Sequence, residues 1–231
     1  MLVEVVRYYL PNTVSFENVI GILLHPDTDG AQCKQNNLAY LQRIVSELLL
    51  LDYQVRIMVL NAADYGDPQY RHRVFLFAAR AHLKLAYYAL PTHGEGIDLE
   101  ATKKVKDALG DLEAFEPEQG SGIVYFPEKN SFTYDHNAES IDLSNRSDKN
   151  VDRLEADTPA STIRCQNGIL HYSLDRGLTV RERACLQSFP YGYRFCGTLA
   201  QRNNQIGNAV PINLAHAVAR SIMESQRTRY V

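Results

Sequence analysis

Asn61 to Arg80, Asn-Ala-Ala-Asp-Tyr-Gly-Asp-Pro-Gln-Tyr-Arg-His-Arg-Val-Phe-Leu-Phe-Ala-Ala-Arg, constrains this chain more than any other stretch. It opens as a turn, because Asp64, Gly66, Asp67 and Pro68 crowd together. It closes on Val74 to Ala79, a short apolar run that predicts a buried strand. Between them stand Gln69, Arg71 and Arg73 at alternating positions. Alternate side chains of an extended segment share a face, so the three are expected to point the same way as the chain enters a sheet. A fork of guanidinium donors there suits a phosphate or a planar carbonyl. The same arginines also fit strand-flanking gatekeepers or ion-pair partners.

Around this stretch the order of elements predicts an α/β sheet. Leu2, Val3, Val5, Val6, Tyr9 and Leu10 form an apolar stripe at helical spacing that stops at Pro11. Thr13 to Phe16 predicts a short strand that leads into Glu17-Asn18-Val19, and His25 to Asn37 a polar loop. Leu38, Leu41, Val45, Leu48 and Leu49 mark an amphipathic helix, followed by a strand over Tyr53 to Leu60. Beyond Arg80 the character changes. Residues 91–157 are rich in Gly, Pro, Asp, Glu and Ser, with strand signals only at Gly122 to Phe126 and Ser131 to Tyr134. Asp135 to Asp157 is polar enough to expect partial disorder. Regularity returns at Thr158. A helix is expected near Thr179 to Gln187, with Thr179 as N-cap and Glu182 completing a capping box. Gln205 to Pro211 reads as a tight turn before a last helix that buries Leu214, Ala217, Val218 and Ile222.

Charge is uneven. Arg181 to Val231 holds seven arginines and two glutamates, while the whole chain carries a net charge of −3. A basic C-terminal segment suits a phosphate-facing surface or a solvated helix face. No apolar run approaches the ~20 residues that span a bilayer; the longest aliphatic run is Leu48 to Leu51. The N-terminus lacks a signal-peptide layout, so an intracellular location without membrane partners is expected. Cys33, Cys165, Cys185 and Cys196 form no Cys-x-x-Cys pair, which predicts free thiols and no metal site.

Three separated patterns bear a resemblance to one family. Glu17-Asn18-Val19 after a strand, Gln69-x-Arg71-x-Arg73, and Arg176-x-Leu-Thr-x-Arg181-Glu182-x-Ala-x-Leu186-Gln187-x-Phe189-Pro190 followed by Gln205-x-Gly207-Asn208-Ala209-Val210-Pro211 resemble motifs of the cytosine-C5 methyltransferases, in the same order. The resemblance covers most of the chain outside 81–157. It implies an incomplete Rossmann-like class I methyltransferase sheet plus a small target-recognition lobe. The implied division is 1–80 in the catalytic sheet, 81–177 for target recognition, and 178–231 for the final motifs and the returning C-terminal helix. It implies DNA (cytosine-5-)-methyltransferase activity, S-adenosyl-L-methionine as cofactor, and a DNA duplex with a flipped cytosine as partner. Glu17 would supply a proton or hydrogen bond at N3, Arg73 would hold the cytosine O2, and Arg71 would support the site. Asn18 would fix its loop. Asn208, Ala209 and Val210 would close over the cofactor.

The departures are as informative. The family's Phe-x-Gly-x-Gly cofactor loop, its acidic residue after the second strand, and the Pro-Cys nucleophile are absent; the cysteines follow Gln32, Arg164, Ala184 and Phe195. All of these would precede Glu17, so the chain reads as the C-terminal part of such an enzyme, inactive alone and completed by an N-terminal half. A bare edge at the first strand would make it unstable or prone to association. The alternatives are a catalytically dead regulatory partner of an intact methyltransferase and a tRNA cytosine-5 methyltransferase fragment. The Gly-Asn-Ala-Val-Pro wording leans eukaryotic, hence nuclear; otherwise the cytoplasm is expected.

Overall fold

A strand buried on both faces and paired on both edges organises the first half of the chain. The computed structural model describes residues 2–24, 39–87, 89–113, 124–126, 131–133, 152–165 and 169–227. These form two compact units interleaved in sequence: Met1–Asn61, His72–Leu90 and His216–Val231 make the first, Ala62–Arg71 and Pro91–Ala215 the second.

In the first unit, α1 (Leu2–Tyr9) buries Val6 and ends at Leu10, whose left-handed φ of 44° precedes Pro11. Strand β1 (Thr13–Val19) follows, then a short 3-10 turn (Ile20–Leu24). Helix α2 (Ala39–Leu50) places Leu41, Ile44 and Leu48 on one buried stripe, as the apolar spacing requires. β2 (Tyr53–Asn61) and β3 (His72–Arg80) complete a sheet of order β1-β3-β2. The predicted loop at His25 to Asn37 lies outside the described residues.

Both neighbours of β3 run antiparallel to it. Among the described residues β1 pairs with β3 alone, which leaves its other edge bare as expected, but the pairing is antiparallel and not the parallel one expected of this strand. The reason is connection length. The link from β1 to β2 contains α2, enough for a parallel crossover, whereas the short link 62–71 returns β3 directly beside β2. Residues Arg73 to Ala79 are all buried, which explains a continuous apolar run in place of alternation. Leu76 and Ala78 join Val6, Leu41, Ile44, Leu48 and Tyr53 in one core, with Val14 and Phe16 of β1 packed on it. Arg73, Phe75 and Phe77 point to the other face by alternation, and the two phenyl rings there stack 6.1 Å apart.

The second unit gathers α3 (Val105–Glu113), the hairpin of β4 (Val124–Phe126) and β5 (Ser131–Thr133), and the parallel pair β6 (Asp152–Arg153) with β7 (Ile169–Leu170). It also holds α4 (Val180–Cys185), α5 (Leu199–Asn208) and the start of α6 (Ile212–Arg227). Its core includes Val105, Leu109, Leu112, Leu154, Ile163, Leu178, Leu186 and Ile206. Both strand signals of the variable region fall in the β4–β5 hairpin. The expected disorder does not reach residues 152–157: Leu154 is buried and donates to Leu170 O at 3.1 Å. Residues 135–151 lie outside the described part.

The Thr179–Glu182 capping box is present, with both reciprocal bonds made, and Arg176 grips Glu182 through two bonds of 2.8 and 2.7 Å. The tight turn expected over Gln205 to Pro211 is instead mostly helix, since α5 runs through Asn208 and the turn is confined to the residues after it. A second capping box, Thr198 with Gln201, starts that helix. The Thr-x-x-Gln signature is present in the sequence at Thr198 to Gln201.

The turn at the head of the organising stretch caps α6. Asp67 is fully buried and accepts from the backbone N–H of Asn213 at 3.2 Å and of Leu214 at 2.9 Å, while Asn213 Nδ2 donates to Gly66 O at 2.9 Å. Burial pushes the Asp67 carboxyl up to about 6, against the lowering pull of Ser188 and the two amides. A carboxyl raised in the folded state favours folding when protonated. Its contribution is therefore fully present below the unfolded value of about 4 and lost as pH rises through about 6. Between pH 4 and pH 7, urea unfolding should show Asp67→Asn gaining on the native chain by about 2 kcal/mol. A stability difference that does not move with pH refutes this account.

Candidate functional site

Strand register brings Glu17 and Arg73 together. Glu17 lies opposite Phe75 and Arg73 opposite Val19, so the two occupy diagonal positions on one face. Arg73 Nε meets Glu17 Oε1 at 2.9 Å, and Arg73 Nη1 donates to His72 O at 2.9 Å. The arginine side chain is 10% exposed and the glutamate 29%. Burial lowers the Arg73 pKa and the Glu17 carboxylate opposes that shift; the guanidinium remains charged. Among the described residues no protein group bonds Arg73 Nη2 or Glu17 Oε2. The pair thus presents cationic donors and a carboxyl oxygen side by side, a combination that can grip an amide-like edge of a ring. Asn18 turns inward on the chain: its Oδ1 accepts from Val19 N at 2.8 Å, where β1 ends.

Gln69 and Arg71 behave differently from Arg73, although all three alternate along the chain. Gln69 is fully buried; its Nε2 donates to Leu186 O at 2.8 Å and its Oε1 accepts from Ile163 N at 3.3 Å. Arg71, 1% exposed, donates from Nη1 to Ile163 O at 2.7 Å and from Nη2 to Gly207 O at 2.5 Å. The planar carbonyls that suit a guanidinium fork are here the protein's own. Sequence reasoning anticipated the chemistry of the fork and not its targets, because those targets lie far along the chain.

The last motifs form a second lattice of buried polar groups. Arg181 donates to the carbonyls of Pro190 and Tyr193, and Arg183 Nη2 to Arg164 O at 3.3 Å. Gln187 Nε2 donates to Ile206 O, and Gln187 O accepts from Ile212 N at 3.1 Å. These contacts fix the turn that carries Asn208, Ala209 and Val210. Ala209 is the C-cap of α5, extended at φ −65° and ψ 149°. Asn208 is exposed, and its Oδ1 accepts from Cys165 Sγ at 3.3 Å. The sequence carried no sign of that cysteine's involvement. Gly207 packs so closely on Cys165 that an added Cβ would lie 2.5 Å from its backbone nitrogen. The glycine is needed for this contact, made inside a helix, rather than for a turn. An open cavity of about 510 Å³ lies against α5, lined by Cys196, Gly197, Gln201, Asn204, Gln205 and Asn208. Its amide-rich wall, with the Asn208 carbonyl already engaged and its amino group available, fits a ligand that offers a carboxylate.

Among the described residues no helix is long and apolar enough to cross a membrane, and no group of three His, Cys, Asp or Glu is placed to hold a metal. The chain is 32% identical to the type II methyltransferase M.AplI of Arthrospira platensis over 96% of its own length, and 29% identical to the type II methyltransferase M1.HphI of Haemophilus parahaemolyticus over 96%. It spans 59% of the length of each of these relatives. A solved structure of an E. coli prophage-encoded protein assigned as a DNA modification methyltransferase superposes with a TM-score of 0.78 at 20% identity, covering 98% of this chain and 73% of that one, and so shares its fold. Residues 1–224 match the C-5 cytosine-specific DNA methylase family, and the chain belongs to that family.

Proposed function

We propose that this chain carries the base-activating pair and the cofactor-facing amide of a DNA (cytosine-5-)-methyltransferase. The observation that carries the reading is the Glu17–Arg73 pair, joined at 2.9 Å on diagonal strand positions with donors and a carboxyl oxygen left for a ring. Nucleophilic attack at C6 of a cytosine drives electron density toward N3 and O2. Glu17 Oε2 supplies the proton or hydrogen bond at N3. Arg73 Nη2 donates to O2 and stabilises the developing charge. Holding Glu17 through Oε1 keeps its second oxygen aimed while the reaction proceeds.

S-adenosyl-L-methionine supplies the electrophilic methyl group. Asn208, with Ala209 and Val210, faces it from the end of α5, and the Asn208 amide donates to the methionine carboxylate. Arg71 serves from behind, bonded to protein carbonyls. Residues 81–177 serve target recognition, and 178–231 return to the catalytic part. Among the described cysteines, Cys165 engages Asn208, Cys185 is buried and Cys196 is exposed; none follows a proline, and a complementary N-terminal segment supplies the nucleophile. The bacterial relatives favour a cytoplasmic enzyme over a nuclear one.

The test is methyl transfer from tritiated S-adenosylmethionine to cytosine-containing duplex DNA. The chain is assayed alone and mixed with the N-terminal segment of the Arthrospira relative. Transfer only in the mixture is expected. Transfer by the chain alone would mean that one of its own cysteines attacks the base, and no transfer in either case by a folded chain overturns the enzymatic reading.

A further inference from the structure

We infer that Arg71 is a positioning residue for cofactor binding and acts on Asn208 through a closed ring that includes Cys165; the inference rests on Asn208 being a cofactor contact. The ring can be followed atom by atom. Arg71 Nη1 donates to Ile163 O at 2.7 Å, and two residues later Cys165 Sγ donates to Asn208 Oδ1 at 3.3 Å. Asn208 is bonded to Gly207, whose carbonyl accepts from Arg71 Nη2 at 2.5 Å, which closes the circuit. Gly207 seats directly on the Cys165 backbone, with no room for a methyl group between them.

Each part has a distinct task. Arg71 is 1% exposed, so it meets no ligand directly. Its planar fork joins two segments, which a lysine with a single point charge would do poorly. Cys165 chooses the orientation of the Asn208 amide. A thiol that donates to Oδ1 turns the NH2 group away from Cys165. That leaves donors, and not an acceptor, for an anionic group. The ring therefore sets both the peptide that carries Asn208 and the end of its side chain that faces a ligand. Cys165 is half-exposed, which makes the ring open to chemical probing.

The test uses the full chain mixed with the N-terminal segment of the Arthrospira relative, and S-adenosylhomocysteine, titrated by calorimetry. Asn208→Ala is expected to weaken binding about tenfold, as loss of one hydrogen bond to a charged group does. Arg71→Lys and Cys165→Ala should each weaken binding by several fold in the native background and by nothing further in Asn208→Ala. A merely structural role would give the same losses in both backgrounds, and that additivity overturns the inference while leaving Asn208 as a cofactor contact. If Arg71→Lys fails to fold, the Cys165→Ala pair decides by the same criterion. A ligand-free readout runs in parallel: alkylation of Cys165 by N-ethylmaleimide, followed on its own peptide by mass spectrometry, should accelerate severalfold in Asn208→Ala and in Arg71→Lys. Unchanged reactivity in both overturns the ring. Native-like affinity in Asn208→Ala, or no binding by the unaltered chain in the mixture, removes the cofactor reading and the inference with it.

Discussion

Arg73→Met should lower methyl transfer in the complemented assay about a thousandfold, the usual cost of removing one preorganised donor from a developing charge. The chain should remain folded. Methionine fills a similar volume, and the Glu17 carboxylate left behind is 29% exposed and can be hydrated in place. Glu17→Gln tests the other half of the pair. It keeps the shape and a donor toward N3 but cannot give up a proton, so a loss of about a hundredfold or more is expected. Arg7→Met is the control. Arg7 pairs with Glu47 at 2.6 Å, but its side chain is 55% exposed, and loss of such a surface pair should leave the rate unchanged. Equal effects from Arg73→Met and Arg7→Met would show that the buried pair only holds β1 to β3.

The second large effect concerns stability and turns on two helical glycines. Gly207→Ala should destabilise the chain by about 3 kcal/mol in urea unfolding, the upper range for forcing a methyl group into a filled site. The added Cβ would lie 2.5 Å from Cys165 N and 2.7 Å from its Cα, and neither backbone atom can swing aside as a side chain would. Gly110→Ala is the matched opposite. It lies within α3, with nothing within 4 Å of the added Cβ. There alanine should stabilise by about 0.5–1 kcal/mol, because it removes the conformational freedom of glycine in the unfolded chain. Shifts of the same sign at both positions would show that helix propensity, and not contact with Cys165, governs Gly207.

The element pattern up to Arg80 was legible because it depends on periodicities of two and 3.6. The stripe of Leu41 and Leu48 marked α2, and the unbroken run Val74 to Ala79 marked a strand covered on both faces. Both capping boxes are local signatures. Thr179 with Glu182 starts α4, and Thr198 with Gln201 starts α5. The motifs also named the members of the candidate site. A family's motif order survives in sequence even where contacts do not, and residues 1–224 match that family. The lean toward a eukaryotic source finds no support in the bacterial relatives named above.

Sequence alone thus determined the elements up to Arg80 and the family, since these rest on short-range pattern and motif order, whereas α3 and α5 were not legible in it. What only tertiary structure decided was the partner of each polar group. Gln69, Arg71 and Arg73 alternate identically on paper. Yet Arg73 meets a carboxylate brought by strand register, while Gln69 and Arg71 meet carbonyls of Leu186, Ile163 and Gly207, which lie far along the chain. Cys165 had no signal at all, because its importance comes from the backbone packed against it and the amide within reach of its sulfur. A hydrogen bond across a hundred residues has no period, and only the folded chain brings its two ends together.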